Sequence, residues 1–201
     1  DMALLEQYHE GLIALSACLA GAIPQRILGE DYQGAKEYAL KLAQMFGEGN
    51  FYLELQDHGI EEQKQVNRGV MRLARETDLP LVVTNDAHYL RKEDAAMQDV
   101  LLCIQTGKTV DEPNRMRFQT EEFYLKSEQE LRQLFPNCED AFENTVRIAG
   151  KCNLDFVFNE YHLPTFPVPE GYNDESYFRE LCEKGFAERY PQAPREYRQR
   201  L

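Results

Sequence analysis

The segment Thr84-Asn85-Asp86-Ala87-His88 is where residue types and spacing in this 201-residue chain can do chemistry together. It closes the apolar run Leu81-Val82-Val83. In extended backbone, side chains two residues apart project to the same side, so Asp86 and His88 can converge on one point. A carboxylate oxygen and an imidazole nitrogen are an ordinary ligand pair for zinc or manganese. The same residues also suit a plainer arrangement, with Asp86 capping the next turn and His88 in a loop. Two other apolar runs end on comparable groups: Ser16-Ala17-Cys18 follows Leu12–Leu15, and Gln56-Asp57-His58-Gly59 follows Phe51–Leu55. Cys18 as a thiolate could complete a mixed N/O/S site, but a lone cysteine is also at home as a small buried hydrophobe. His58 reads most simply as a turn residue, Asp57 as a turn cap, and Glu54 as an outward-facing strand position.

The elements that must position these groups follow from the hydrophobic pattern. Leu12–Leu15, Phe51–Leu55 and Leu81–Thr84 are short and bounded by turn or polar residues, as buried strands are. Between the first two, Asp31 can cap a helix whose apolar face is Ala35, Ala39, Leu42 and Phe46, with Gly47 and Gly49 as its stop. Between the second and third, Val66, Val70, Leu73 and Ala74 repeat that face until Leu79-Pro80. Strand, helix, strand, helix, strand predicts a parallel α/β arrangement, in which ligand chemistry gathers at the carboxyl ends of the strands.

Beyond Thr84 the pattern turns helical. Met97, Val100, Leu101 and Ile104 form a stripe ending at Gly107, and a loop through Pro113, Arg115 and Arg117 leads to a short strand expected at Phe123–Leu125. Ser127 and Glu130 make a capping box, and Asn137 is placed to cap a helix carrying Phe142, Val146 and Ala149. The extended, proline-containing segment from Asn153 to Tyr172 marks the expected boundary between residues 1–152 and 153–201. A final, strongly amphipathic helix is expected to carry Tyr177, Phe178, Leu181, Cys182, Gly185 and Phe186 on one face.

Composition narrows the function classes. Twenty-two Lys and Arg against 35 Asp and Glu give a net charge of −13. Arg189, Arg195, Arg198 and Arg200 stand against Glu196 alone, so the acid excess lies upstream of them. A broad phosphate-binding face on these residues is therefore excluded. Five cysteines without CxxC spacing argue against a disulfide framework or a zinc ribbon, and point to a reducing, cytoplasmic setting. No run is long and apolar enough for a membrane span. Gly107-Lys108-Thr109 resembles the end of a P-loop but lacks the leading glycine, since position 102 is Leu102. The absence of an initiator Met and the charged end lead us to expect a piece of a longer protein.

Taken together, Leu12–Gly21, Phe51–Gly59, Val83–Leu90, Leu101–Thr109 and Tyr161–Pro169 resemble the alpha subunits of bacterial DNA polymerase III, the C family of replicative polymerases, in order and across most of the chain. The resemblance implies the C-terminal half of a PHP (polymerase and histidinol phosphatase) domain, a distorted seven-stranded (β/α) barrel, over residues 1–152. A connector and the start of the polymerase palm would follow over residues 153–201. It further implies that Asp86 and His88 are the last metal-ligand motif and Cys18 the family's thiol ligand, in a cluster of zinc or manganese ions. No role carries over to Glu54, Asp57 or His58. The parent would extend primers with deoxynucleotides on a DNA template, using magnesium at a palm site outside these residues, and would work with other replication subunits. Its PHP domain would be either a metal-dependent 3′ to 5′ exonuclease or an inert structural module that stabilises the polymerase or docks a proofreading subunit. The further ligands and the polymerising carboxylates of the family have no counterparts here, so the 201 residues alone are expected to be inactive.

Overall fold

Three short parallel strands, β1 (Ala14–Leu15), β2 (Phe51–Leu55) and β3 (Leu81–Val83), form a sheet in the order β1-β2-β3. The computed structural model describes residues 1–200. Ala14 pairs with Phe51 and Leu53 with Leu81, so all three carboxyl ends lie along one edge. The central strand reads Phe51-Tyr52-Leu53-Glu54-Leu55 and buries every residue but Glu54, as a strand covered on both faces should.

Helices supply that cover. α1 spans Met2–Gln7, α2 Ala22–Leu28, α3 Tyr32–Phe46 and α4 Glu61–Thr77. α3 begins where Asp31 accepts from the Gly34 N–H at 2.9 Å, and it turns Ala35, Ala39 and Phe46 into the core. α4 contributes Val66, Val70, Leu73 and Ala74. Both helices join Phe51, Leu53, Leu55 and Val83 in one cluster. Downstream, a single 3-10 turn at Lys92–Asp94 precedes α5 (Ala95–Thr106), followed by α6 (Glu128–Leu134) and α7 (Glu139–Lys151). α7 packs along β3, where the buried Asn144 donates to the Leu81 carbonyl at 2.8 Å.

The chain divides into two compact units, Asp1–Asn153 and the residues from Leu154 onward. In the second, α8 (Asp174–Arg189) and the short α9 (Arg195–Arg198) are the described helices. Between Lys151 and Asp174 there is neither helix nor strand.

Several expectations from periodicity are corrected. Only Ala14 and Leu15 of the first run pair as strand, because Leu12 lies outside the sheet and is exposed. Phe123–Leu125 forms no strand; Tyr124 makes one isolated parallel bridge to Tyr89. Asn137 does not cap α7 but takes φ +68°, the left-handed conformation asparagine tolerates, and Cys138 occupies the cap position. The α5 stripe Met97, Val100, Leu101 and Ile104 faces outward, while Leu102 and Cys103 point in. α8 buries none of its expected apolar face. Helical spacing reveals that a face is apolar but not whether anything covers it. α1 and α2 leave no clear periodic signal because each has fewer than two turns, and Pro24 in the first turn of α2 reads as a breaker although it is tolerated there.

The capping box of α6 is formed as its sequence predicts: Ser127 accepts from the Glu130 N–H, and Glu130 accepts from the Ser127 N–H at 2.8 Å. Hydrogen bonds from the Ser127 and Tyr124 hydroxyls hold the Glu130 carboxyl at about 2, below its ordinary 4.5. A folded-state pKa below the unfolded one gives stability that is full above about 4.5 and is lost as pH falls toward 2. The melting-temperature difference between wild type and Glu130→Gln should therefore be full at pH 6 and shrink to nothing near pH 2. Thermal melts monitored by circular dichroism across that range check it.

Candidate functional site

The three strand ends are tied together by one side chain. From the middle of β2, Glu54 Oε2 accepts from the Ala17 N–H just past β1 at 3.0 Å. Its Oε1 accepts from Gln56 Nε2 at 2.9 Å and from the Thr84 hydroxyl just past β3. The Glu54 N–H in turn donates to the Ser16 hydroxyl at 2.8 Å. Glu54 thus turns toward its neighbours rather than outward, and Ser16 is a structural acceptor. Alternation predicts which face a strand residue takes, but not whether bonding partners await it there.

Past β1 the chain turns sharply, with Ala17 at φ +68°. A Cβ on Gly21 would sit 2.6 Å from the Ser16 carbonyl, so the turn requires glycine there. Cys18 lies in this turn, partly buried, immediately ahead of α2. Past β3 the backbone turns again at Asp86, φ +41°. There His88 Nε2 stands 3.4 Å from Asp86 Oδ1, each side chain a little over a third exposed. The imidazole lies 4.8 Å from the Phe118 ring and edge-on to Phe123 at 5.7 Å.

This pair fits a divalent metal in donor type and spacing. Two ligands of one tetrahedral zinc, each about 2.0–2.2 Å from it, stand roughly 3.3 Å apart, which is close to the observed separation. The expected partners divide accordingly: Asp86 and His88 come together, while among the described residues no group of three His, Cys, Asp or Glu side chains assembles with metal-ligand geometry. Asp57 caps its turn, with Oδ1 accepting from the Gly59 N–H at 2.8 Å. His58 is buried to 1% exposure, which makes it part of the scaffold rather than a surface turn residue.

The segment from Gly107 to Lys126, for which the sequence predicts a loop and a short strand at Phe123–Leu125, lies against the site. Gly107 itself ends α5 at φ +64°, a helix stop and not a nucleotide cradle. The Phe123 carbonyl accepts from the His88 N–H at 2.8 Å, Leu125 N–H donates to the Tyr89 carbonyl at 3.0 Å, and Thr120 Oγ1 donates to the His58 carbonyl at 2.6 Å. Arg115 anchors the loop to α5 through both oxygens of Asp99 and lowers the Asp99 pKa. Burial pushes the Lys126 ammonium down from its ordinary value, and Glu122 opposes that shift. Such contacts join residues far apart in sequence and leave no local pattern.

Known proteins match this sequence. Residues 1–58 match the model of the PHP domain, which takes in β1, β2 and the Cys18 turn; Asp86 and His88 lie beyond the matched residues. The DNA polymerase III subunit alpha of Treponema pallidum is 44% identical over 191 residues, covering 94% of this chain and 16% of that protein. That of Thermus aquaticus is 43% identical over 197 residues, covering 95% and 16%. The Mycobacterium tuberculosis protein is 35% identical over 205 residues, covering 100% and 17%. The chain is homologous to the alpha subunits of bacterial DNA polymerase III. It spans about a sixth of the length of these alpha subunits. No helix among its described residues is long and apolar enough to cross a membrane.

Glu54→Gln tests the tie between the strand ends. An amide nitrogen would have to face either the Ala17 N–H or the Gln56 and Thr84 donors, leaving at least one unmatched. We expect a loss of about 1–3 kcal/mol, read from the urea midpoint at constant m-value.

Proposed function

We propose that this chain is part of a replicative polymerase alpha subunit in which residues 1–152 form the later half of the PHP domain and residues 153–201 lead into the palm. The observation that carries this reading is the Asp86 and His88 pair at the carboxyl edge of a parallel sheet, in a chain 44% identical to such a subunit over 191 residues. The whole protein would extend a primer on a DNA template with deoxynucleotides, in the cytoplasm, alongside other replication subunits. The net charge of −13 supports little direct nucleic-acid contact by these residues.

Asp86 and His88 would hold a zinc or manganese ion at the PHP site; Cys18, which forms no three-ligand group with them here, would serve the same metal cluster from the β1 turn. Magnesium would serve the polymerase site elsewhere in the protein. When bound, the PHP metals would supply Lewis acidity and a lowered water pKa for 3′ to 5′ nucleotide removal. The chain's own part is to present one oxygen and one nitrogen at fixed separation, with the Phe118 and Phe123 rings limiting rotation of the imidazole.

Metal analysis of the full-length protein tests this. Zinc or manganese should be stoichiometric in the wild type and fall at least tenfold in Asp86→Asn and His88→Ala with circular dichroism unchanged. An unmutated protein free of both metals would overturn the metal reading and leave an inert structural PHP module. The 201 residues alone should show neither primer extension nor exonuclease activity in gel assays, and metal-dependent cleavage by them would overturn the assignment of further ligands to other parts of the protein.

A further inference from the structure

His58 is among the most buried polar side chains of the protein, and every polar atom of its ring is matched. The Asn85 carbonyl, which can only accept, lies 2.8 Å from Nε2, so Nε2 carries the proton. Gln63 settles the other nitrogen. Its Oε1 accepts from the His58 N–H at 2.8 Å, which turns its Nε2 toward His58 Nδ1, also at 2.8 Å. Nδ1 is therefore the acceptor, and one tautomer is fixed by two neighbours that have no alternative. Phe123 stacks flat on the ring at 4.3 Å and 1°, and the Thr120 hydroxyl holds the His58 carbonyl. With both nitrogens engaged and the ring sealed, His58 offers nothing to a metal.

What it holds is the residue before Asp86. Asp86 has φ +41°, a conformation that costs an L-residue free energy and persists only when its surroundings enforce it. The enforcement is visible on both sides of the turn. Ahead of it, His58 fixes the Asn85 carbonyl, and the Asn85 side-chain amide donates to the Lys126 carbonyl at 3.2 Å. Behind it, the Phe123 carbonyl fixes the His88 N–H at 2.8 Å. Because Phe123 also stacks on His58, both clamps share one support.

We propose that His58, locked by Gln63 as the Nε2–H tautomer, is a positioning residue that sets the Asn85–His88 turn and thereby aims Asp86 and His88 at a common ion. The aiming part rests on the metal reading above; the clamp on the turn does not.

The test uses the full-length protein with Co²⁺ alone as the probe. His58→Phe keeps an aromatic ring against Phe123 but lacks the donor to Asn85. Co²⁺ affinity should fall by about 10–100-fold, the usual result of losing a group that orients a ligand, with a changed visible absorption spectrum. His58→Gln, whose amide can replace the Nε2–H, should stay within about threefold of wild type and restore the spectrum. Hydrogen exchange at the His88 amide should quicken at least tenfold in His58→Phe, while the Leu53 amide, bonded to the Pro80 carbonyl, keeps its protection.

A purely structural histidine would lower the melting temperature and leave the spectrum, the affinity and the His88 exchange unchanged; that result in a folded His58→Phe overturns the proposal. Wild-type protein that takes up no Co²⁺ would defeat the metal reading and the aiming together, whereas the His88 exchange would still decide the clamp. Should His58→Phe fail to fold, Gln63→Met frees Nδ1 with the ring in place. Its affinity should drop at least threefold and its His88 exchange quicken, and wild-type values for both overturn the proposal.

Discussion

The site depends on the carboxyl group of Glu54. Two of the three strands are only two or three residues long, too few for ladder hydrogen bonds alone to fix where their ends fall. Glu54 reaches from the central strand to a backbone N–H past β1 and to a hydroxyl past β3. One residue thus sets the mutual height of the Cys18 and Asp86 turns. A carboxylate accepting several hydrogen bonds in a half-buried place is favourable because each donor is neutral and already positioned. Replacing a partner leaves a desolvated group unmatched, which is why the arrangement tolerates little change.

Around that tie the structure is layered by distance from chemistry. The apolar cluster of β2, α3 and α4 packs the sheet against its helices. The strand ends carry polar groups that bond one another, and the segment from Gly107 to Lys126 closes over them with backbone carbonyls. Rigidity therefore passes from a packed core through a polar network to two half-exposed side chains. The rings of Phe118 and Phe123 finish the wall beside His88.

How much of this is legible in the sequence depends on how local each cause is. The strands, α3 and α4 are readable because their burial repeats at the period of the element, and Asp31 and the Ser127–Glu130 box announce helix starts directly. The spacing of Asp86 and His88 anticipates their meeting but not its cause: the extended backbone expected there is absent, and a left-handed turn at Asp86, φ +41°, brings them together. Glu54 and His58 are not, since their meaning comes from Ala17, Thr84, Asn85 and Phe123, which only folding brings near. The outward stripe of α5 fails for the opposite reason: its pattern is clear, but pattern carries no information on what lies opposite.

The left-handed backbone at Asp86 also bears on how such a site can change over time. Few residues accept that conformation, and besides glycine the two that take it most readily are aspartate and asparagine. The smallest exchange open to this position is therefore Asp to Asn, which preserves the turn and the surrounding packing while removing the charge that an ion would need. A lineage could remove that charge by one nucleotide change and keep an intact scaffold. The shape of this turn is accordingly poor testimony to whether it could hold an ion, and the identity of this one side chain is far better.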